Sequence, residues 1–194
     1  MGMPSSAPEQ RWTADQVREL MEHEPSHWPR YEVVAGELLV TPAPRGVHQE
    51  AVKRLLFMLD PYVEPHRLGW ASFAPADVQL DAATLVQPDL FVTPLVGGRR
   101  PPDDLPISSL LLAVEILSPS TARYDRLTKR RYYQGFGVPE YWVVDLDARA
   151  VERWRPGEDR AELLDRELAW QPDVTVPPLV IDLGEYFSEV HDPA

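Results

Sequence analysis

The chain has 194 residues, 44% of them apolar, enough to bury the core of one domain but not of two ordinary ones. Its 21 prolines and 10 glycines fall well short of the roughly 25–30% typical of low-complexity chains, and no run of about 18 apolar residues offers a membrane span. Zero cysteines exclude disulfide scaffolds, thiolate metal sites and a thiol nucleophile, and a net charge of −12 repels a phosphate backbone at long range.

Met1 to Gln10 lack the charged start and apolar stretch of a secretory signal, so a cytoplasmic location is expected, with residues 1–12 disordered and residues 13–194 forming a single domain. Thr13 and Gln16 have the spacing of a capping box. With the apolar stripe Val17, Leu20 and Met21 they predict a short helix ending before Pro25. Tyr31–Val34 and Leu38–Thr41, separated by Ala35-Gly36-Glu37, read as a β-hairpin stopped by Pro42 and Pro44. From Val47 to about Asp60, apolar Val52, Leu55, Leu56 and Leu59 form one side of a helix, and His48 falls at its start on the interior side.

Three strands are predicted next, at 77–80, 89–93 and 110–117. The last is an apolar run broken by one carboxylate, Glu115, where an unpaired charge would be costly. Ser118 to Thr121 form a turn that can cap a helix over 122–134, closed by Gly135 and Gly137. A second hairpin follows at Tyr141–Asp145 and Val151–Trp154, then a β-rich tail in which Asp182 caps a last helical turn over Leu183–Phe187. This order of elements is α/β.

Asp89 opens one buried strand, Glu115 interrupts the next, and Lys129 lies in the helix after that. Carboxylates on neighbouring strands can hold a hard divalent cation, and a nearby lysine can orient or help deprotonate a metal-bound water, the minimum kit for phosphodiester hydrolysis. Only two of the 19 basic residues are lysines, Lys53 and Lys129, so a lysine at this place is less readily chance. Each residue alone also has a plainer reading. Asp89 could end a loop, Lys129 could be a solvated helix residue, and His48 could satisfy a backbone carbonyl. Between Arg123 and Arg131 five basic residues stand against Asp125 alone, a patch that could attract phosphate or be ordinary solvated surface.

From Tyr31 to about Trp154 the chain resembles the PD-(D/E)XK nuclease superfamily, and within it the bacterial group called Uma-type restriction endonucleases. The resemblance is carried by Tyr31-Glu32-Val33-Val34-Ala35-Gly36-Glu37-Leu38, Pro44 with His48, Gln87-Pro88-Asp89, Val114-Glu115-Ile116-Leu117-Ser118-Pro119-Ser120, Asp125 with Lys129, and Gly137-Val138-Pro139-Glu140-Tyr141-Trp142. It implies a restriction-endonuclease-like core with a mixed central sheet between the helices at 47–60 and 122–134, an N-terminal hairpin and a C-terminal β extension. It also implies DNA as substrate. Asp89, Glu115 and the Ile116 carbonyl would hold Mg²⁺ or Mn²⁺, with Lys129 activating water and Glu32, His48 and Asp125 as accessory residues. Arg123, Arg126 and Arg130 are candidate DNA contacts. The superfamily's usual lysine position, two residues after the second acid, holds Leu117 here, and Lys129 four residues after Asp125 resembles the Uma-type migration. Tyr132, Tyr133, Tyr141 and Trp142 read as core or interface packing, and a two-fold homodimer is expected, with these residues and Phe136 as contact material beyond the core. The rival reading is a non-catalytic binding or dimerisation module with a vestigial metal site.

Overall fold

The structure is a computed structural model that describes residues 11–23, 28–102 and 107–192. Most of the stretch expected to be disordered lies outside the described residues, but Trp12 donates its N–H to the Gly36 carbonyl at 2.9 Å. The Thr13–Gln16 capping box forms as predicted and opens α1 (Ala14–Glu22). The hairpin β1 (Arg30–Val34) and β2 (Glu37–Thr41) then leads into α2 (Gly46–Val63). This helix runs three residues beyond the expected end, through Pro61. Proline removes one intrahelical bond. The carbonyl it deprives is that of Phe57, whose side is open to water, while buried Tyr62 and Val63 favour continuing the helix.

Four strands follow where the sequence predicted two: β3 (Trp70–Phe73), β4 (Val78–Asp81), β5 (Thr84–Val86) and β6 (Leu90–Thr93). β7 (Leu112–Ile116) is buried along its whole length. The expected single helix over 122–134 is in fact three pieces: α3 (Ala122–Tyr124), a π-helical turn (Asp125–Lys129) and α4 (Arg130–Gly135). After it come β8 (Glu140–Asp145), β9 (Ala150–Trp154), β10 (Glu162–Leu164), β11 (Glu167–Trp170), β12 (Leu179–Asp182) and α5 (Leu183–His191). Asp182 caps α5 by accepting the Glu185 N–H at 2.9 Å, and the helix continues past the predicted single turn because Phe187 and Val190 are buried.

Six strands form the central sheet in the order β10-β9-β8-β7-β6-β3, with β7–β8 parallel and the other pairs antiparallel. Strand alternation sorts its side chains. Leu112, Val114 and Ile116 of β7 pack with α2 and α5 on one face. Ala113 packs on the other face with Phe91, Tyr133, Tyr141 and Val143, and with Val34, Val78 and Val86 of a second sheet ordered β2-β1-β5-β4. α1 covers the outside of that second sheet through Ala14 and Val17 against Val33 and Leu85. Glu115 has the parity of Ala113 and so points into the space between the two sheets.

Of the two uses the sequence leaves open for Tyr133, Tyr141 and Trp142, core packing or contact with a second copy, the structure shows the first: all three are fully buried core residues. Each aromatic ring removes a large apolar area from water, and these three do so against the sheet.

Gly69 enters β3 so tightly that a Cβ there would lie 2.5 Å from the Thr93 carbonyl oxygen and 2.9 Å from Val92 Cγ1, whereas a Cβ on Gly46 would meet nothing within 4 Å. Gly69→Ala is expected to destabilise by about 1–3 kcal/mol. Gly46→Ala should be neutral or stabilising by up to about 1 kcal/mol. Urea unfolding of the two variants checks the contrast.

Candidate active site

Arg30, Glu32 and Val34 share one face of β1, and that face looks at the central sheet. Glu32 is thereby buried and accepts the Gln87 N–H at 2.8 Å. Asp89 stands one step past the last paired couple of β6 and β7, Leu90↔Val114, which places it opposite Glu115 on the same face. Its Oδ1 accepts from Arg30 Nη2 at 2.9 Å, and its Oδ2 accepts from His48 Nε2 and from the Ile116 N–H, both at 3.0 Å. Burial pushes the Asp89 carboxyl up, but the bonds and charges of His48 and Arg30 outweigh it and hold it at about 2.

Lys129 is delivered by the π-helical turn and is only 3% exposed. Its Nζ lies 2.9 Å from Glu115 Oε1, 2.9 Å from Glu32 Oε1 and 3.7 Å from Asp125 Oδ1. Burial pulls a lysine pKa down, yet these three carboxylates prevail and raise Lys129 well above its ordinary value. Tyr133, one turn further along, donates its hydroxyl to Glu115 Oε1 at 3.3 Å. Tyr141 donates to the Asp125 carbonyl at 3.2 Å.

Four carboxyl groups, Glu32, Asp89, Glu115 and Asp125, thus share this interior with two firm cations, Lys129 and Arg30. The imbalance is visible in the titration of the acids. Burial first, and then Asp89, Asp125 and Glu32, push Glu115 well above the usual carboxylate range against the pull of Lys129. Burial likewise lifts Asp125 to about 6, with Lys129 and Thr121 opposing and Glu32 and Asp89 adding to the rise. Asp125 Oδ1 also lacks a hydrogen-bond partner. A buried cluster short of positive charge and built from oxygen donors suits a hard divalent cation, which takes one or two carboxylates and keeps several waters. Asp89 and Glu115 fit such an ion in chemistry and charge. No cage of three or more His, Asp or Glu side chains occurs among the described residues, so water would have to complete the shell.

The cluster forms the floor of a cleft of about 920 Å³, which Glu32, His48, Glu115, Asp125 and Lys129 line together with Arg45 and His191 at its rim. The structure therefore brings together Glu32, His48, Asp89, Glu115, Asp125 and Lys129, all six of the side chains singled out as catalytic or accessory. Ile116 contributes its N–H to Asp89. Leu117 lines the cleft as an apolar residue.

The basic stretch fares differently. Arg126 is held by Glu152 at 2.6 Å and Asp145 at 2.7 Å, Arg130 lies over the Trp154 ring at 4.5 Å, and Lys129 is buried. Of its five basic residues only Arg123 and Arg131 stand exposed, so the sequence patch is not a surface patch.

Arg30 and Tyr133 are members of the site that sequence reasoning missed. Alternation from Glu32 within an otherwise apolar hairpin was the available signal for Arg30, and the four-residue step from Lys129 was the signal for Tyr133.

The fold and this acid–lysine cluster define a protein of nuclease architecture. The sequence matches the Uma2 family, described as "Putative restriction endonuclease", over residues 16–184, and the chain belongs to that family. A crystal structure described as a "putative nuclease belonging to DUF820" from Anabaena variabilis shares the fold, with a TM-score of 0.71 at 18% identity, covering 90% of this chain and 98% of that one. Comparison with curated proteins finds no match. No helix among the described residues is long and apolar enough to cross a membrane.

Asp125 and Asp89 carry opposite pH signatures. The folded value for Asp125, about 6, lies above its reference of 3.8, so its favourable contribution is complete below about pH 4 and is lost as pH rises through 6. Asp89, at about 2, contributes above about pH 4 and loses that contribution as pH falls through 2. Asp125→Asn should therefore raise stability by about 1–3 kcal/mol at pH 8 and change it little near pH 3, as read by denaturant unfolding at the two pH values.

Proposed function

We propose that the protein is a divalent-metal-dependent endonuclease hydrolysing DNA phosphodiester bonds, with Asp89 and Glu115 as metal ligands and the Ile116 backbone carbonyl completing the protein's share of the shell. The observation that carries this reading is the pair of buried carboxylates on adjacent strands, with a buried lysine bonded to Glu115, the member of the pair that lines the cleft. Mg²⁺ or Mn²⁺ would supply an acidified water and a Lewis acid for the phosphoryl oxygen.

The chain's own groups do the rest. Arg30, His48 and the Ile116 N–H fix the orientation of Asp89, and Tyr133 fixes Glu115. Lys129, kept cationic by three carboxylates, orients the attacking water and stabilises charge developing on the phosphate. The role of proton acceptor expected from the sequence would need a neutral amine, which its surroundings oppose.

A specific observation also favours the rival, non-catalytic reading: both oxygens of Asp89 are already engaged by protein donors. Metal binding without turnover would decide for it. The nuclease reading includes a homodimer, because one site cuts one strand. Exposed Leu127 and Phe136 on the helical segment are the remaining apolar material for the contact. Sedimentation at micromolar protein should give a dimer, and a monomer would remove this part of the reading.

With Mg²⁺ the protein should nick supercoiled plasmid, and chelation by EDTA should stop it. Asp89→Asn and Glu115→Gln should lower cleavage by at least about 10³-fold, and Lys129→Gln by about 10² to 10⁴-fold. Circular dichroism on each variant separates loss of chemistry from loss of fold. A folded Glu115→Gln that cuts as fast as the parent would refute the assignment.

A further inference from the structure

One wall of the cleft, adjoining its acidic floor, has a different character. α2 begins there: Thr41, Pro44, Arg45, Val47 and His48 all line the cavity. It is an 18-residue helix with no acidic residue in its first turn, and the side chain of its cap residue, Arg45, makes no capping bond. The N–H groups of Gly46, Val47 and His48 have no intrahelical acceptor, and among the described residues none of them donates to another protein group. Such a terminus concentrates unpaired donors and partial positive charge.

A second observation lies beside it. Arg30 and His48 are each only 8% exposed, both line the cleft, and both bond Asp89, yet Arg30 Nε and His48 Nδ1 have no partner. The Thr41 hydroxyl, in the same wall, is also buried and unpartnered. Buried polar atoms are rarely left unsatisfied, and the two donors among these, Arg30 Nε and the Thr41 hydroxyl, point to a ligand that supplies acceptor oxygens.

We infer that the start of α2, with Arg45 at its mouth and Arg30 behind it, is the seat of a backbone phosphate of the nucleic-acid strand, adjacent to the carboxylate cluster. The inference rests on the nuclease reading and adds to it the wall on which the strand is held. Carboxylates and phosphate donors lie side by side in one cleft, Arg30 bonding Asp89 at 2.9 Å, so a strand lying in it presents one phosphate to the donors while the cluster addresses the bond beside it. Recognition of this kind reads the backbone and carries no base preference.

Gly46→Pro isolates the helix terminus. It deletes one N–H at the first helical position, where proline is well tolerated. The extended Arg45 (φ −77°, ψ 161°) suits a residue before proline, and no atom lies within 4 Å of the added Cβ. The probe is 5′-phosphorylated dithymidine (pTpT), titrated with Ca²⁺ present and followed by calorimetry and by ¹⁵N amide shifts. Inorganic phosphate is titrated in parallel.

The amides of residues 46–48 should shift with pTpT. Gly46→Pro should weaken pTpT binding by about 3- to 10-fold. Arg45→Glu should weaken it by more than about tenfold. Both variants should melt as the parent does. Parental affinity in Gly46→Pro, or weakening in Arg45→Glu alone, would overturn the seat. Inorganic phosphate shifting the same amides and displacing pTpT at equal concentration would overturn the strand as its ligand. Amide shifts in a protein that cuts no DNA would uphold the seat and sink the hydrolytic reading, whereas metal-dependent cutting with unshifted amides would sink the seat alone.

Discussion

A buried ammonium group ties the six-stranded and four-stranded sheets together at their polar seam. Lys129 is buried among Glu32 of β1, Glu115 of β7 and Asp125 of its own helical segment. Removing a charge from water costs several kcal/mol unless it is paired with good geometry, and unpairing a buried ion is costlier than never having placed it. Lys129 therefore cannot be considered apart from the three acids, nor they from it. The contact commits the helical segment, the second sheet and the central strand to one relative placement. The π-helical turn serves that placement, since both Asp125 and Lys129 come from it and both face the interior. Such wide turns are frequent at functional sites.

The same cluster is unbalanced by design of its residues. Four acids meet two firm cations, and the excess appears as carboxyls displaced upward at Glu115 and Asp125 while Asp89, served by Arg30 and His48, is displaced downward. Carboxylates whose environments separate their titration are a common mark of sites that bind or transform something. A purely structural ion-pair network would be expected to close its charges, as Arg126 does with Asp145 and Glu152 nearby. The interior cluster leaves its charges open toward a cleft.

Much of this site could be read from the chain because burial made its charges conspicuous. Glu115 interrupts an apolar run, Asp89 opens a short strand after a proline, and the pairing of adjacent strands brings them together with no further information. The hairpin at 30–41 and the capped first helix followed from local signals of the same strength.

What escaped was decided by contacts distant in sequence. The basic stretch around Arg126 stayed open between a phosphate-attracting patch and ordinary solvated surface because nothing local reveals Asp145 and Glu152. Tyr133, Tyr141 and Trp142 stayed open between core and partner contact because aromatic residues serve both alike. The short strands β3 and β5 carried too few residues to show a period. The uninterrupted helix expected over 122–134 failed because a π-helical turn leaves no mark in residue pattern that an α-helix would not share.

The central claim is that Asp89 and Glu115 jointly hold a divalent cation. It is tested most directly by an anomalous difference map from crystals grown with Mn²⁺. The account predicts a peak within coordination distance of both carboxylates, with waters filling the remaining positions. A map with no peak there at millimolar Mn²⁺, with Lys129 still bonded to Glu115 and Arg30 and His48 still bonded to Asp89, would contradict it.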